Sequence, residues 1–358
     1  MRPNDLFEFG FSLMSCIMMV SCADRPGDSS TIETIKISDC QVKEFTWEKK
    51  FEQCIHVVEL QDTSKMYSFS EISKLVCKNG KFYISDWPTR RIVVFDAEGK
   101  PTMVLNRRGR GPEEYLQVTD FDVDDNGGLW ILDGQKDVVN HYASGGKFLS
   151  QTKTGDSQYS YISYEKGKLL LGVAYWDKSE NSGYTAVLAD TSLNVSARYG
   201  QVPEFYDADF TFPSVGFAHV GDVVMSNNPI DDCVSVFDKK GYKGRYFFDF
   251  GAKCVPDEVR KSVEKHLDEL SDYTFLVNVV GAYDNMVIGT FMDGGAPVDF
   301  VIDTKSKMLY KQPWSSGQFH LTSISSDEIV LSGVDFDSGR TNIAYISLDE
   351  IKKVMKRN

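Results

Sequence analysis

The chain has 358 residues, 42% hydrophobic and 13% aromatic, with a formal net charge of -13 and a pI near 4.9. That apolar content is ample for a packed core, so long-range disorder is excluded. The acidic balance argues against a phosphate backbone as ligand, and no nucleic-acid partner is expected.

In chain order, the first element is an apolar stretch over residues 9–20, interrupted only by Gly10, Ser12, Ser15 and Cys16. It is too short to span a membrane as a mature helix and reads as an export signal. It ends in Met19-Val20-Ser21-Cys22, which is similar to the lipobox of bacterial lipoproteins. The similarity implies a signal peptide over 1–21, lipidation of Cys22, and membrane attachment through that lipid. Residues 22–31, rich in Asp, Ser, Pro and Gly, then form a tether. Arg2 is the only basic residue ahead of the stretch and is opposed by Asp5 and Glu8, so a non-lipidated signal or a misassigned start is the alternative. Beyond Cys16 and Cys22 lie Cys40, Cys54, Cys77, Cys233 and Cys254, an odd set without CxxC spacing. Buried or unlinked thiols are the favoured reading, with at most one or two disulfides.

Six wholly apolar runs follow, each directly after a turn: Phe82-Tyr83-Ile84, Leu129-Trp130-Ile131-Leu132, Leu169-Leu170-Leu171, Val223-Val224-Met225, Met286-Val287-Ile288 and Ile329-Val330-Leu331. Strands with one wet face alternate apolar and polar residues, whereas strands covered on both faces need not, so the runs imply small sheets stacked face to face. Their spacing fits one four-stranded unit per run, and Asn79-Gly80-Lys81 recurs as Asn126-Gly127-Gly128 at an offset of 47. The expected fold is therefore all-β: a six-bladed β-propeller forming a single domain over 32–351. The sixth unit has only three runs before the chain ends, so Ile55 to Leu60 is expected to supply its missing strand and close the ring. Between blades four and five, Pro256 to Leu270 is expected to be helical, with Val259, Val263, Leu267 and Leu270 on one face packed onto the propeller.

Connections in a propeller alternate between two faces, and here one set is short and the other long. The long set carries Trp87, Arg90, Arg110, Tyr175, Trp176, Asp177, Tyr206, Asp207, Asp293 and Trp314. Aromatics beside carboxylates and arginines suit a sugar or a peptide, and long loops on a rigid ring are where ligands are usually held. These ten residues are the candidate ligand contacts, expected to converge around one mouth of the central channel. Packing of the aromatics onto their own loops is the alternative.

The sharpest local motif is Gly109-Arg110-Gly111-Pro112-Glu113-Glu114-Tyr115, leading into Phe121-Asp122-Val123. With the lipobox and the repeated strand endings in Asp, it resembles the six-bladed β-propeller lipoproteins of Bacteroidetes, related to NHL and TolB-like propellers. Glu113 stands where those proteins often have Gly. The resemblance implies a cell-envelope location, in the outer membrane as a lipoprotein, and supplies fold and place more than activity. Glu114 is expected to pair with a neighbouring arginine, which would make the motif a loop clamp.

No catalytic residue, cofactor or metal is expected. Asp120, Asp122, Asp124 and Asp125 lack the Gly and Glu positions of a calcium loop. The five histidines, His56, His141, His219, His266 and His320, do not occupy equivalent positions around the axis, and no nucleophile elbow or phosphate loop occurs. The expected function is a binding or scaffolding module for a glycan, a peptide or an envelope protein. The alternative is a lyase, lactonase or glycan-active enzyme acting at the axial mouth, a choice that fold alone cannot make.

Overall fold

The computed structural model describes residues 31–356 apart from 63, 202–215, 221, 222, 228, 229, 231, 239, 240, 326 and 336. Cys22 and the segments on either side of it, and the candidates Tyr206 and Asp207, lie outside the described residues.

Six antiparallel sheets form the ring, at 74–105, 120–153, 159–201, 218–249, 274–313 and 320–347, and are numbered here as blades one to six. The six apolar runs all fall in the second strand of their blades, between an inner and a third strand. Leu129–Asp133 is buried from end to end, as a strand covered by blades on both faces must be. The tight hairpins follow from turn chemistry: Asn79 and Gly80 both take positive φ, the pairing that a two-residue turn between twisted strands requires.

Blade six is completed by His56–Glu59, antiparallel to Thr341–Ser347 with Val57 opposite Ala344. The closing segment is itself buried only in part. Val57 is 52% exposed and Val58 half-buried, because an outermost strand is covered only in part, whereas Leu60 beyond it is fully buried. Most of the apolar anchoring comes from just upstream, where Trp47 and Phe51 stack in the core between blades five and six.

Two N-terminal strands have no counterpart in the sequence reading. Thr31–Lys36 lies parallel beside Gly241–Asp249 at the outer edge of blade four, and Gln41–Glu44 lies parallel beside Met308–Pro313 of blade five. Residues 31–59 thus run as a belt along the outer edges of three successive blades.

The helical insertion is also corrected. It breaks into an α-helical turn, Asp257–Arg260, and a 3-10 segment, Val263–Asp272, with His266 outside helical φ/ψ. The kink leaves Leu267 47% exposed while Val259, Val263 and Leu270 pack inward, so the apolar stripe is not continuous. At the other end, the Lys-rich tail is a helix, Leu348–Lys356, that buries Leu348, Ile351 and Met355 against the core of blades five and six.

Polar side chains stitch neighbouring blades together. The inner strands of blades three, five and six are each paired on one side only, which leaves the amides of the other edge outside the ladder. Side chains of the preceding blade accept those amides: Asp120 from Ile162 (2.8 Å), Asp122 from Tyr164 (2.7 Å), Asn227 from Val279 (2.9 Å), Asp232 from Leu276 (3.0 Å) and Asp299 from Leu321 (2.7 Å). Asp120 also takes the Lys74 ammonium of blade one at 2.7 Å. Burial pushes its carboxyl upward, against the pull of Lys74. Within the four-aspartate stretch, Asp120 and Asp122 therefore join blades, whereas Asp124 holds its own hairpin by accepting Asn126 N and Gly128 N at 2.8 Å each.

Candidate functional site on the long-loop face

Strand connectivity fixes which face each candidate occupies. The hairpins between first and second strands, and between third and outer strands, lie at one mouth. The links between second and third strands, and from each outer strand to the next inner one, lie at the other. Trp87, Arg90, Tyr175, Trp176, Asp177 and Asp293 belong to links between second and third strands, and Arg110 and Trp314 to links between blades. All eight described candidates are thus on the long-loop face.

Their exposure separates them. Trp87, Trp176 and Trp314 are 52, 41 and 39% exposed, and they are the only exposed large aromatic side chains among the described residues. Trp47 and Trp130 are buried. Exposed apolar residues away from this face, Val42, Val57 and Leu149, all sit on outermost strands. Trp314 is held in place, its Nε1 donating to Asp299 Oδ1 at 2.8 Å and its ring stacked 4.8 Å from His320. Burial lowers the proton affinity of His320, and the charges of Asp299 and Glu48 oppose that.

The carboxylates do different work. Asp177 is buried, and its oxygens accept Gln158 N at 2.7 Å and Ser179 Oγ at 2.8 Å. Asp133 does the same for Leu116 N, and Asp86 for Ser70 N. Asp86 and Asp133 are the repeated strand-ending aspartates, and Asp177, in the turn beyond Lys168–Val173, plays the same part, each tying the turn after the second strand to the chain entering the same blade. Asp293 is half-buried beside Lys253 (3.0 Å) and Thr274 Oγ1 (3.1 Å). Burial raises its carboxyl, but the bonds from Lys253 and Thr274 outweigh it and hold the group below the usual range. Tyr175 is half-buried. Arg90 N donates to Trp87 O at 3.2 Å within one turn, and the candidates as a set are spread over the links of several blades.

The Gly109–Tyr115 loop is a clamp of its own kind. Glu114 does not reach an arginine as expected. Its Oε2 accepts Gly111 N at 2.8 Å, and a Cβ at Gly109 would collide with that carboxylate, which is why glycine stands there. Arg107 pairs instead with Glu113, at 3.5 Å. Tyr115 is fully buried and donates to Leu105 O at 2.9 Å, with burial pushing its hydroxyl up to about 12.

Six antiparallel blades with these repeated strand-ending aspartates place the chain beside known propellers. A family model described as a 6-bladed beta-propeller, DUF5128, matches residues 27–327. The chain belongs to that family. Among solved structures, this DUF5128 chain is similar to a protein from Bacteroides fragilis described as exported, at 17% identity and TM-score 0.69, covering 87% of this chain and 99% of that one. A DUF4221 family member from Bacteroides vulgatus matches at 12% identity and TM-score 0.52, covering 82% and 95%. A virginiamycin B lyase from Staphylococcus aureus overlaps at a TM-score of only 0.44 and 10% identity, covering 82% and 99%, too loosely to bear on chemistry. A search of curated proteins finds no match.

At the opposite mouth of the DUF5128 ring lies a polar cluster that sequence reasoning missed. His219, on the inner strand Ala218–Val220 rather than in a hairpin, has Nε2 2.9 Å from Ser163 Oγ and Nδ1 3.3 Å from Glu165 Oε1, with Asp122 Oδ2 3.6 Å away. The three partners come from blades two and three, so no local pattern announces the cluster. It has the outline of a nucleophile, base and orienting acid. However, Ser163 is fully buried and donates to Glu165 at 2.9 Å, which suits a strut across blades. Among the described residues no three His, Cys, Asp or Glu side chains are placed to hold a metal ion, none of the five cysteines is in a disulfide, and no helix is long and apolar enough to cross a membrane.

Proposed function

We propose that this DUF5128 protein is an exported, envelope-tethered binding module that holds a glycan or a peptide on its long-loop face. The observation that carries the reading is the restriction of exposed indoles to that face, at Trp87, Trp176 and Trp314. Indoles left in water on otherwise anchored loops offer flat apolar area at little ordering cost, the usual basis of recognition hot spots. The carboxylates nearby are turned to backbone amides and lysines, which favours holding a ligand over acid–base chemistry. A thermal-shift panel of oligosaccharides and peptides tests it, since a ligand that binds the folded state raises its apparent stability. Trp87→Ala or Trp176→Ala, whichever lies at the occupied sector, should weaken the best ligand by about tenfold or more, while changing stability by no more than about 0.5 kcal/mol. A panel without any hit, or a hit indifferent to all three tryptophans, would remove the reading.

Export and tethering rest on the apolar leader and Val20-Ser21-Cys22, in keeping with the exported neighbour from Bacteroides fragilis. Cys22→Ala should release the protein from membranes and abolish labelling by a fatty-acid analogue. A wild-type protein that takes up no label would disprove the anchor.

A further inference from the structure

Within the long-loop face, the sector above blades one and two exposes a run of arginines on a chain whose net charge is -13. The Gly109–Tyr115 clamp turns Glu114 back onto its own backbone and leaves Arg108 and Arg110 pointing into water, where neither makes an ion pair among the described residues. Arg107 is matched by Glu113 at 3.5 Å, and the other neighbouring cations are bound to neutral carbonyls. Arg90 Nη1 donates to Leu116 O at 3.2 Å, and Lys136 Nζ donates to Gly111 O at 2.9 Å and to Glu114 O at 2.7 Å. These bonds hold the turn after Trp87, the arginine loop and the turn of blade two together as one surface. The acids below it, Asp86 and Asp133, are buried and face backbone amides. Arg108 and Arg110 are therefore exposed guanidinium groups that no carboxylate contacts among the described residues, on a surface tied through Arg90 to the turn that begins at the exposed Trp87.

We propose that Trp87, Arg108 and Arg110 form a subsite for an acidic oligosaccharide, one carrying uronate carboxylates or sulfates. This rests on the reading of the face as a binding surface and names the ligand class that its blade-one sector takes. Charge complementarity selects the anion, because guanidinium forks match the planar geometry of carboxylate and sulfate oxygens. The indole supplies a flat apolar face for a pyranose ring, which an acidic peptide does not require. The loop is fixed before the ligand arrives, by Gly111 N to Glu114 and by Tyr115 to Leu105, so little ordering cost is left to binding.

The test measures binding of an oligogalacturonate hexamer, a chondroitin sulfate hexasaccharide, an uncharged maltohexaose and a hexaglutamate peptide to the full mature chain, with melting temperature recorded for every variant. At about 50 mM salt an acidic hexasaccharide should bind at least about tenfold more tightly than maltohexaose, and lose most of that margin near 500 mM. The double variant Arg108→Ala, Arg110→Ala should cost about tenfold or more and remove the salt dependence, and Trp87→Ala should cost a similar factor while retaining it. Trp176→Ala, on blade three, should change this affinity less than about threefold. Equal binding of acidic and neutral sugars, no loss in the arginine double variant, or hexaglutamate binding as tightly and indifferent to Trp87, would each overturn the subsite. Neutral sugar or peptide binding that depends on Trp176 or Trp314 would overturn it while leaving the wider function of the face intact.

Discussion

A chain shortened to begin at Lys65 should fail to fold cooperatively, giving no single melting transition by calorimetry or circular dichroism. The deletion removes the outer strand His56–Glu59, and with it the hydrogen bonds that close blade six against Thr341–Ser347. It also removes Trp47, Phe51 and Leu60, all fully buried, and Phe45 packed beside them. Stripping a buried aromatic side chain from a packed core typically costs about 3–5 kcal/mol. Several such losses together reach the whole stability of an ordinary domain, about 5–15 kcal/mol. A truncated chain that melted like the parent would show that the ring does not need its N-terminal closure.

Asp299→Ala should be among the most damaging single substitutions, lowering stability by about 3–5 kcal/mol in urea unfolding. The carboxylate is fully buried in blade five and accepts four donors: Trp47 Nε1 at 3.0 Å, Trp314 Nε1 at 2.8 Å, Thr290 Oγ1 at 3.0 Å and Leu321 N at 2.7 Å. Burial pushes this carboxyl upward, opposed by the hydrogen bonds from Trp314, Leu321, Trp47 and Thr290. Alanine would strand those donors away from water, and the unmade bonds cost more than the made ones contribute. The same change should loosen Trp314 on the long-loop face, so its indole fluorescence should shift red in the folded variant. A stability loss under about 1 kcal/mol would show that the donors find other partners.

What the sequence reveals and conceals here follows from how each element is stabilised. The second strands are legible because both faces are covered, which writes an uninterrupted apolar run into the letters. The closing strand could be found by counting, since a three-stranded sixth blade leaves two edges open. Gln41–Glu44 gives no such signal: all four residues are exposed, and the strand forms because a parallel edge is available beside Met308–Pro313. The terminal helix Leu348–Lys356 hides its three buried residues among lysines and acids. The site was legible to the level of a face, because connectivity assigns loops to mouths. Which side chains meet solvent was not. Asp177, a loop candidate in the sequence, is buried, and Asp299 takes its Trp47 partner from the distant N-terminal segment. Arg110 is a candidate from the sequence, but Arg108 joins it only once Glu114 is seen to be spent on Gly111 N.

The belt along blades four, five and six sets the order in which the molecule would yield to tension. A pull applied N-terminal to Thr31 acts first on the edge pairing with Gly241–Asp249, then on the pairing with Met308–Pro313, and only afterwards on His56–Glu59, which seals the ring. The first two contacts are add-ons to sheets that already have four strands of their own, so they can peel away and re-form without opening a blade. The segment is thus a mechanical fuse in series, extending under load while the face that carries Trp87, Trp176 and Trp314 stays assembled.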